Sequence, residues 1–411
     1  MGGKYTMMKV DRNTRKVDMK MIVDKLDITP TMYKNAIEKY RNLSAYLQKQ
    51  GINSDIYPQG SFALGTVVRP YRNSKEMNYD LDFICLLNEN VSECNPKDVK
   101  MKIGNALKDS EVYSKILQEE YDRCWTLEYA EIGEVGFNMD IVPAVPSEIV
   151  NVDNDHGIEE LKYRETKISI TNKKSEDLYD WIKGNPKGYK EWFLEINKPF
   201  LEHDRSYRRQ LLFESHRHVF NSIEEITEDY ERSSLQRVIQ ILKRHRDVYF
   251  SKTRKENDKP ITAIITTLAA QIANEASKDL DVFELLEYIV REFNVYSEWQ
   301  VLSEATFIKK YSTRNFVRRV NGKWQILNPV NSDDNLADAW NGENNKAKCF
   351  FEWIKAVQQD FIYSLEKKDE EFITLLENSM GTHFVRKSIN TEKYTTSQSD
   401  NLAYQAKPWR N

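Results

Sequence analysis

An α+β fold, with a small mixed sheet backed by helices and a helical domain after it, is predicted for this 411-residue chain by three observations. Residues 30–145 run in the order helix, turn, strand, helix, strand, strand, which suits a small sheet covered by helices on one face. After residue 225 the pattern changes to long helices alone. Beyond residue 387 the chain becomes polar ("SINTEKYTTSQSDNLAYQAKPWRN") and reads as a tail. The expected division is a core with an N-terminal spine helix over 1–225, a helical domain closing a cleft over 226–387, and a flexible tail over 388–411.

The first helix is placed at 30–50. Thr29 can cap it, Pro30 suits its first turn and Gly51 stops it. Tyr33, Ala36, Ile37, Tyr40, Leu43 and Leu47 recur at helical spacing and give one buried stripe. The turn "QGSFALGT" leads to the strand "DLDFICLL". A second amphipathic helix is expected over 97–118, with Val99, Ile103, Leu107 and Ile116 on one side. Strands follow at 123–131 and 135–145, joined by a hairpin-length link at Gly133. Residues 151–175 read as irregular, and "WIKGNPKGYKEWF" (181–193) as an ordered aromatic loop. The later helices are placed at 233–250, 260–275, 281–292 and 346–366, with a loop of turn-forming residues, "QILNPVNSDDNLADAW", between the last two.

Composition narrows the function classes. Lys and Arg number 60 against 64 Asp and Glu, for a net charge of -4, so any basic site must be local rather than a coat for nucleic acid or anionic lipid. With 40% hydrophobic residues the chain buries real cores. Four cysteines without a CxxC pair and six scattered histidines argue against a zinc site. His216, Arg217 and His218 read as surface. No apolar run of signal-peptide or membrane-span length is present, so a cytoplasmic location without membrane attachment is expected. "MGGKYT" matches the minimal myristoylation pattern and is read as a chance match in a polar leader.

The chemistry is concentrated between residues 57 and 140. On one strand Asp80 and Asp82 share a face, about 6.6 Å apart along the chain, while Leu81 and Phe83 face the core. Two such carboxylates repel, and keeping both ionised beside a core is costly. A divalent cation removes the difficulty, and hard oxygen donors suit Mg²⁺. Asp140 is a third lone acid in an apolar strand, "FNMDIVPAV". If the two strands are neighbours, the three acids converge as a two-metal phosphoryl-transfer site requires. Gly60 lets backbone approach a phosphate closely, and Ser61 offers an N–H and a hydroxyl at the start of a short helix. On "LQRVIQILKRHRDVYF", Leu235, Val238, Ile239, Leu242 and Tyr249 form an apolar face. Lys243 and Arg246 flank it, Arg237 and Arg244 lie farther round, and such a basic edge over the cleft could clamp a triphosphate. Asp333, Asp334 and Asn335 are explained by Asx-turn chemistry. The aromatics of 181–193 are suited to stacking a base or to packing, and neither role is assigned.

The series "GSFALGTVVRP…YDLDFICLL…FNMDIVPAV" is similar to the polymerase-β-like nucleotidyltransferase superfamily: GS, then DxD, then a distant Asp. More closely, it resembles the bacterial cGAS/DncV-like nucleotidyltransferases, relatives of animal cGAS and oligoadenylate synthase, and their clade D in particular. "YDWIKGNPKGYKEWF", "SLQRVIQILKRHRDVYF", "KPITAIITTLAA" and "NPVNSDDNLADAW" extend the resemblance over about residues 30–385. It implies an oligoadenylate-synthase-like arrangement of a nucleotidyltransferase core and a helical domain. It also implies condensation of NTPs, ATP among them, into a cyclic di- or trinucleotide messenger that activates an effector in anti-phage (CBASS) defence. Asp80, Asp82 and Asp140 would hold two Mg²⁺ ions, with Mn²⁺ as an alternative. Gln59, Gly60, Ser61 and, as the basic residue the family implies, Lys243 would bind the nucleotide.

Nucleic acid would not be required, and an operon-encoded regulator would act on the C-terminal tail. Tyr404 and Trp409 are its sticky residues, and the terminal Asn411 favours non-covalent capture over conjugation. The alternatives are a linear 2′–5′ oligoadenylate synthase, an RNA-tailing nucleotidyltransferase, and a binding protein with vestigial acids. A tailing enzyme should carry a basic RNA-binding surface, whereas this chain is net acidic. A vestigial enzyme should have lost an acid, and none is missing.

Overall fold

The structure, a computed structural model, describes residues 10–73, 75–129, 136–148, 158–215, 231–342 and 345–394. The Met-Gly leader, the Gly133 link, His216 to His218 and the Tyr404–Trp409 segment lie outside the described residues. In chain order the first part contains α1 (Arg12–Asp24), α2 (Pro30–Lys49), β1 (Ser54–Pro58), α3 (Gly60–Ala63), β2 (Tyr71–Arg72), β3 (Lys75–Glu76), β4 (Tyr79–Leu87) and α4 (Pro96–Lys108). It continues with β5 (Trp125–Tyr129), β6 (Phe137–Pro146), α5 (Ile158–Lys162), β7 (Ile168–Lys173), β8 (Tyr179–Gly184) and α6 (Pro186–Ser215). The remainder is α7 (Ser234–Thr253), α8 (Thr262–Glu275), α9 (Val282–Tyr296), α10 (Glu304–Lys310), β9 (Arg318–Val320), β10 (Lys323–Gln325), β11 (Leu327–Asn328), β12 (Asn331–Asn335), α11 (Lys346–Val357), α12 (Asp369–Met380) and α13 (Thr382–Ser388).

The main sheet has the order β1-β4-β6-β7-β8, with β5 also paired to β6. Only β4 and β6 run parallel; the other pairs are antiparallel. Alternation along β4 and β6 sorts their side chains by face, as the two-residue repeat of a strand requires. Leu81, Phe83, Cys85, Met139 and Ile141 are fully enclosed. They pack against Ala36, Leu43 and Leu47 of α2 and Val99, Ile103 and Leu107 of α4. The predicted stripe of α2 is the buried one, and Tyr40 stacks on Phe83 with ring centroids 5.3 Å apart. Thr29 caps α2 by accepting from the N–H of Met32.

A second, larger core gathers the helices. It draws on both sides of residue 225: Met19, Ile22 and Val23 of α1 and Phe193 and Phe200 of α6 join Leu235, Val238 and Leu242 of α7. α7 is the axis of this layer, capped by a reciprocal Ser233–Gln236 box and enclosed on nearly all sides.

Several expectations are corrected. The helix expected over 97–118 ends at Lys108. The Ser110 hydroxyl accepts from the N–H groups of Val112 and Tyr113, which turns the chain into a separate 3₁₀ turn. Residues 151–175 are not wholly irregular, since "ISITNK" forms β7. The aromatic segment 181–193 is the end of a strand and the start of a helix, not a loop. Asn185 accepts from Gly188 N–H and Pro186 opens α6, so the Gly-Asn-Pro sequence is the junction. The segment between α10 and α11 contains two small hairpins, β9–β10 and β11–β12. The run 346–366 is one rod of changing pitch: α helix to Val357, a π turn to Ile362, then a 3₁₀ turn. The tail does not begin at 388, because Ile389 and Tyr394 are buried; the Tyr394 hydroxyl and the Lys393 ammonium both reach Asp18 of α1. Among the described residues no helix is long and apolar enough to cross a membrane.

Candidate active site

The parallel pairing of β4 with β6 sets Asp82 opposite Asp140 and Asp80 opposite Asn138. All four side chains occupy the sheet face turned away from α2 and α4. Asp80 is exposed and accepts from Asn138 Nδ2 at 3.0 Å. Asp140 is half-buried, and one of its oxygens accepts from Thr126 Oγ1 at 2.5 Å. Asp82 lies between them. Its carboxyl is pushed up to about 7 by burial first, then by Asp140 and Asp80, with Lys243 pulling it back. Asp140 is raised as well, by burial foremost and partly offset by the Thr126 hydrogen bond. Among the described residues no three His, Cys, Asp or Glu side chains are gathered into a ready metal cage. The acids form a pair with a third carboxylate two residues away on the same face.

The glycine-serine turn rests against this pair. Gln59 N–H donates to the Asp82 carbonyl at 2.8 Å, which joins the turn to β4. Gly60 follows with φ +59, in the left-handed region. A Cβ placed there would stand 2.7 Å from Asp82 Oδ2, so a side chain at this position would be strained and would displace the Asp82 carboxylate. Gly60 opens the single-turn helix α3, and the Gln59 side chain caps nothing. Gln59, Gly60, Ser61, Thr66 and Asp82 line one side of a cleft of about 810 Å³.

The other walls come from two segments that the sequence singled out without assigning their residues to the site. Trp181, Lys183, Tyr189 and Lys190 of β8 and α6 form one, with Arg123 beside them. Asn331, Asp333 and Asp334 of β12 form another, opposite the turn, with Thr266 of α8. Lys183 and Lys190 make no ion pair among the described residues. The signal for this basic wall was present in "WIKGNPKGYK", where lysines recur around a helix start. Asn335 is structural, as expected: its amide accepts from Ile326 and Ala337 N–H and donates to the Trp324 carbonyl and Asp338.

The expectation of a basic helix edge over the cleft is corrected. Arg244 pairs with Glu76, Arg246 with Asp247, and Arg237 with Asp24 and Asp27. Lys243 is buried, does not line the cleft and donates to the Thr66 carbonyl at 2.7 Å, though its charge still acts on Asp82. Burial, then Arg246, lowers its ammonium to about 7. The charges on α7 are satisfied internally, as buried charges must be.

Residues 54–142 match the family model described as "Cyclic GMP-AMP synthase DncV-like, nucleotidyltransferase domain". The chain is 28% identical over 351 residues to a c-di-GMP synthase of Roseivirga ehrenbergii, a match covering 85% of this chain and 78% of that protein. Its fold is similar to that of the CD-NTase CdnG of Bradyrhizobium diazoefficiens solved with GTP, at TM-score 0.62 and 16% identity over 91% of this chain and 97% of that one. It is also similar to CdnC of Escherichia coli MS115-1 in a complex with a HORMA protein, at TM-score 0.55 and 12% identity over 92% and 99%. The Vibrio cholerae DncV cyclic AMP-GMP synthase with nonhydrolysable GTP follows at TM-score 0.52 and 12% identity, over 93% and 92%.

Proposed function

We propose that this chain, which belongs to the bacterial cGAS/DncV-like nucleotidyltransferases, condenses two nucleoside triphosphates into a cyclic dinucleotide, with GTP as a substrate. The observation that carries the reading is the registered Asp82–Asp140 pair with the Gly60–Ser61 turn laid directly on it. The similarity to a c-di-GMP synthase over most of both chains supports the choice of GTP.

The donor set fits divalent metal ions. Two adjoining carboxylates, with Asp80 beside them, hold each other's protonation up, and that repulsion is what a hard cation relieves. Asp80, Asp82 and Asp140 are the residues that would hold Mg²⁺ or Mn²⁺, which when bound would neutralise the triphosphate and acidify an attacking hydroxyl. Thr126 fixes one oxygen of Asp140 and so orients its carboxylate. The other oxygen is left to accept the proton of a ribose hydroxyl. Ser61 offers its hydroxyl and N–H to the phosphates, and Lys183, Lys190 and Arg123 supply positive charge from the facing wall. Catalysis of this kind is chiefly positioning and charge neutralisation.

We further propose that the regulator grips the residues after Tyr394, which is buried and is the last of the described residues. An anti-phage role, through an effector that reads the product, belongs to the same reading. The test is incubation with GTP, ATP or both, with Mg²⁺ and without nucleic acid. A phosphatase-resistant dinucleotide formed from GTP is expected. Product formed only when RNA is added would replace this reading with RNA tailing, and none under any condition would overturn it.

A further inference from the structure

Helix α7 faces the catalytic turn with a row of donors, and the chain after the turn faces α7 with a row of carbonyls. Gln236 Nε2 donates to the Leu64 carbonyl at 2.8 Å. Lys243 Nζ donates to that of Thr66 at 2.7 Å, and Gln240 Nε2 to that of Val67 at 2.9 Å. Arg244 reaches that of Arg69 at 3.3 Å. The donors stand at i, i+4, i+7 and i+8, one face of the helix. The acceptors span six residues, from the turn that ends α3 into the chain beyond it, and none of them belongs to a strand, since β1 ends at Pro58 and β2 starts at Tyr71. A buried backbone carbonyl needs a donor, and here side chains of another layer provide it.

We infer that Gln236 and Gln240 are positioning residues, which hold the Gly60–Ser61 turn in its nucleotide-binding place by fastening residues 64–67 to α7. The inference rests on the reading of that turn as a triphosphate cradle. Neither glutamine lies in the cleft lining, whereas Leu64 and Thr66 do, so any effect they have on nucleotide passes through the loop. The loop is also fitted to the helix sterically. Gly65 has φ +66, and a Cβ there would stand 2.5 Å from Gln236 Nε2. Both amides are held at their far ends: Gln236 Oε1 accepts from Ser233 N–H, and Gln240 Oε1 from Arg237. Gln240 Nε2 also lies 3.4 Å from Asp27 Oδ1, so the same amide ties the loop to the link between α1 and α2.

Gln→Glu substitution separates the two ends of each amide. Glutamate at 236 keeps the capping box, and glutamate at 240 keeps an acceptor for Arg237, but each turns a donor toward a carbonyl into a second acceptor. In Gln236→Glu and Gln240→Glu we expect amide hydrogen exchange of residues 60–69 to rise about tenfold while that of 238–250 stays as in the wild type. We expect KM for GTP to rise about tenfold with kcat within about twofold, because saturating nucleotide restores the turn. Unchanged exchange at 60–69 overturns the fastening whatever the activity. Faster exchange with unchanged KM overturns the positioning role. Hydrogen exchange is read on the protein alone, so the absence of product from the wild type would count against the proposed reaction and leave this result standing.

Discussion

A side-chain carbon at Gly60 would lie 2.7 Å from Oδ2 of Asp82, closer than any real contact of that kind. The backbone of the glycine-serine turn therefore lies directly against the Asp82 carboxylate, and the glycine is favoured both by its φ of +59 and by this approach. Gly60→Ala is expected to reduce turnover at least about a hundredfold, since misplacing reacting groups by one ångström has that scale. Gly60→Val should be worse. Steady-state kinetics on folded variants, checked by circular dichroism, decides it, and near-normal turnover would remove the turn from the site.

Ser61→Ala should raise KM for the nucleotide about tenfold, the worth of one hydrogen bond to a charged group. Lys183→Ala and Lys190→Ala, on the facing wall, should each raise it several-fold in a salt-dependent way, because they act as charges at longer range. Binding isotherms at two salt concentrations separate the two behaviours. A salt effect for Ser61→Ala equal to that of the lysine variants would contradict the assignment.

Asp82→Asn and Asp140→Asn are each expected to abolish product. Stability should respond differently in a chelator. The Asp82 carboxyl titrates near 7 in the fold against 3.8 ordinarily, so the folded chain holds an extra proton between those values. Its contribution to stability is full below about pH 3.8 and lost as pH rises to about 7. With EDTA present, the wild type should lose about 5 °C in Tm between pH 5 and pH 7, and Asp82→Asn clearly less. Lys243 runs in the opposite sense: its lowered value near 7 makes stability grow above that pH, outside this window. Parallel Tm curves for wild type and variant would refute the electrostatic account of the pair.

A chain ending at residue 394 should keep the wild-type Tm and synthesis, whereas one ending at 388 should be destabilised by several kcal/mol through loss of Ile389 and Tyr394. Tyr394→Phe isolates the hydroxyl contact with Asp18 and should cost about 1 kcal/mol. Only the chain ending at 394 serves for pull-down of a tail-binding regulator, since the shorter one confounds binding with folding. Equal stability of the two truncations would show that the Tyr394 anchor does not hold.

Local signals carried most of the core. The α2 stripe, the Thr29 cap and the faces of β4 were legible because periodicity and capping are properties of short segments. The pairing of Asp82 with Asp140 followed from treating a lone acid in an apolar strand as unusual. What escaped depended on distant partners. β7 and β8 are short and polar in part, and the lysines of 183–190 acquire meaning only where a hairpin from residues 327–335 closes the same cleft. The basic residues of α7 looked like an exposed edge because charge ordinarily marks solvent. Of their partners only Asp247, next to Arg246, is local; Glu76 and the carbonyls of 64–69 lie far off in the chain. Residues 389–394 resemble a tail in composition, and the burial of Ile389 and Tyr394 shows that they are not.

The seam between α7 and the segment 64–69 constrains how the sheet and the helices can move against each other. The turn is tied to the sheet through Gln59 and Asp82, and the chain just after it is tied to the helices through four side chains. A hinge running through this seam would strand four carbonyls and their four donors at once, three of these pairs buried, so the two layers are held from parting there like a jaw. The seam is a weld rather than a joint: the turn belongs mechanically to both layers, and neither can shift without carrying it along.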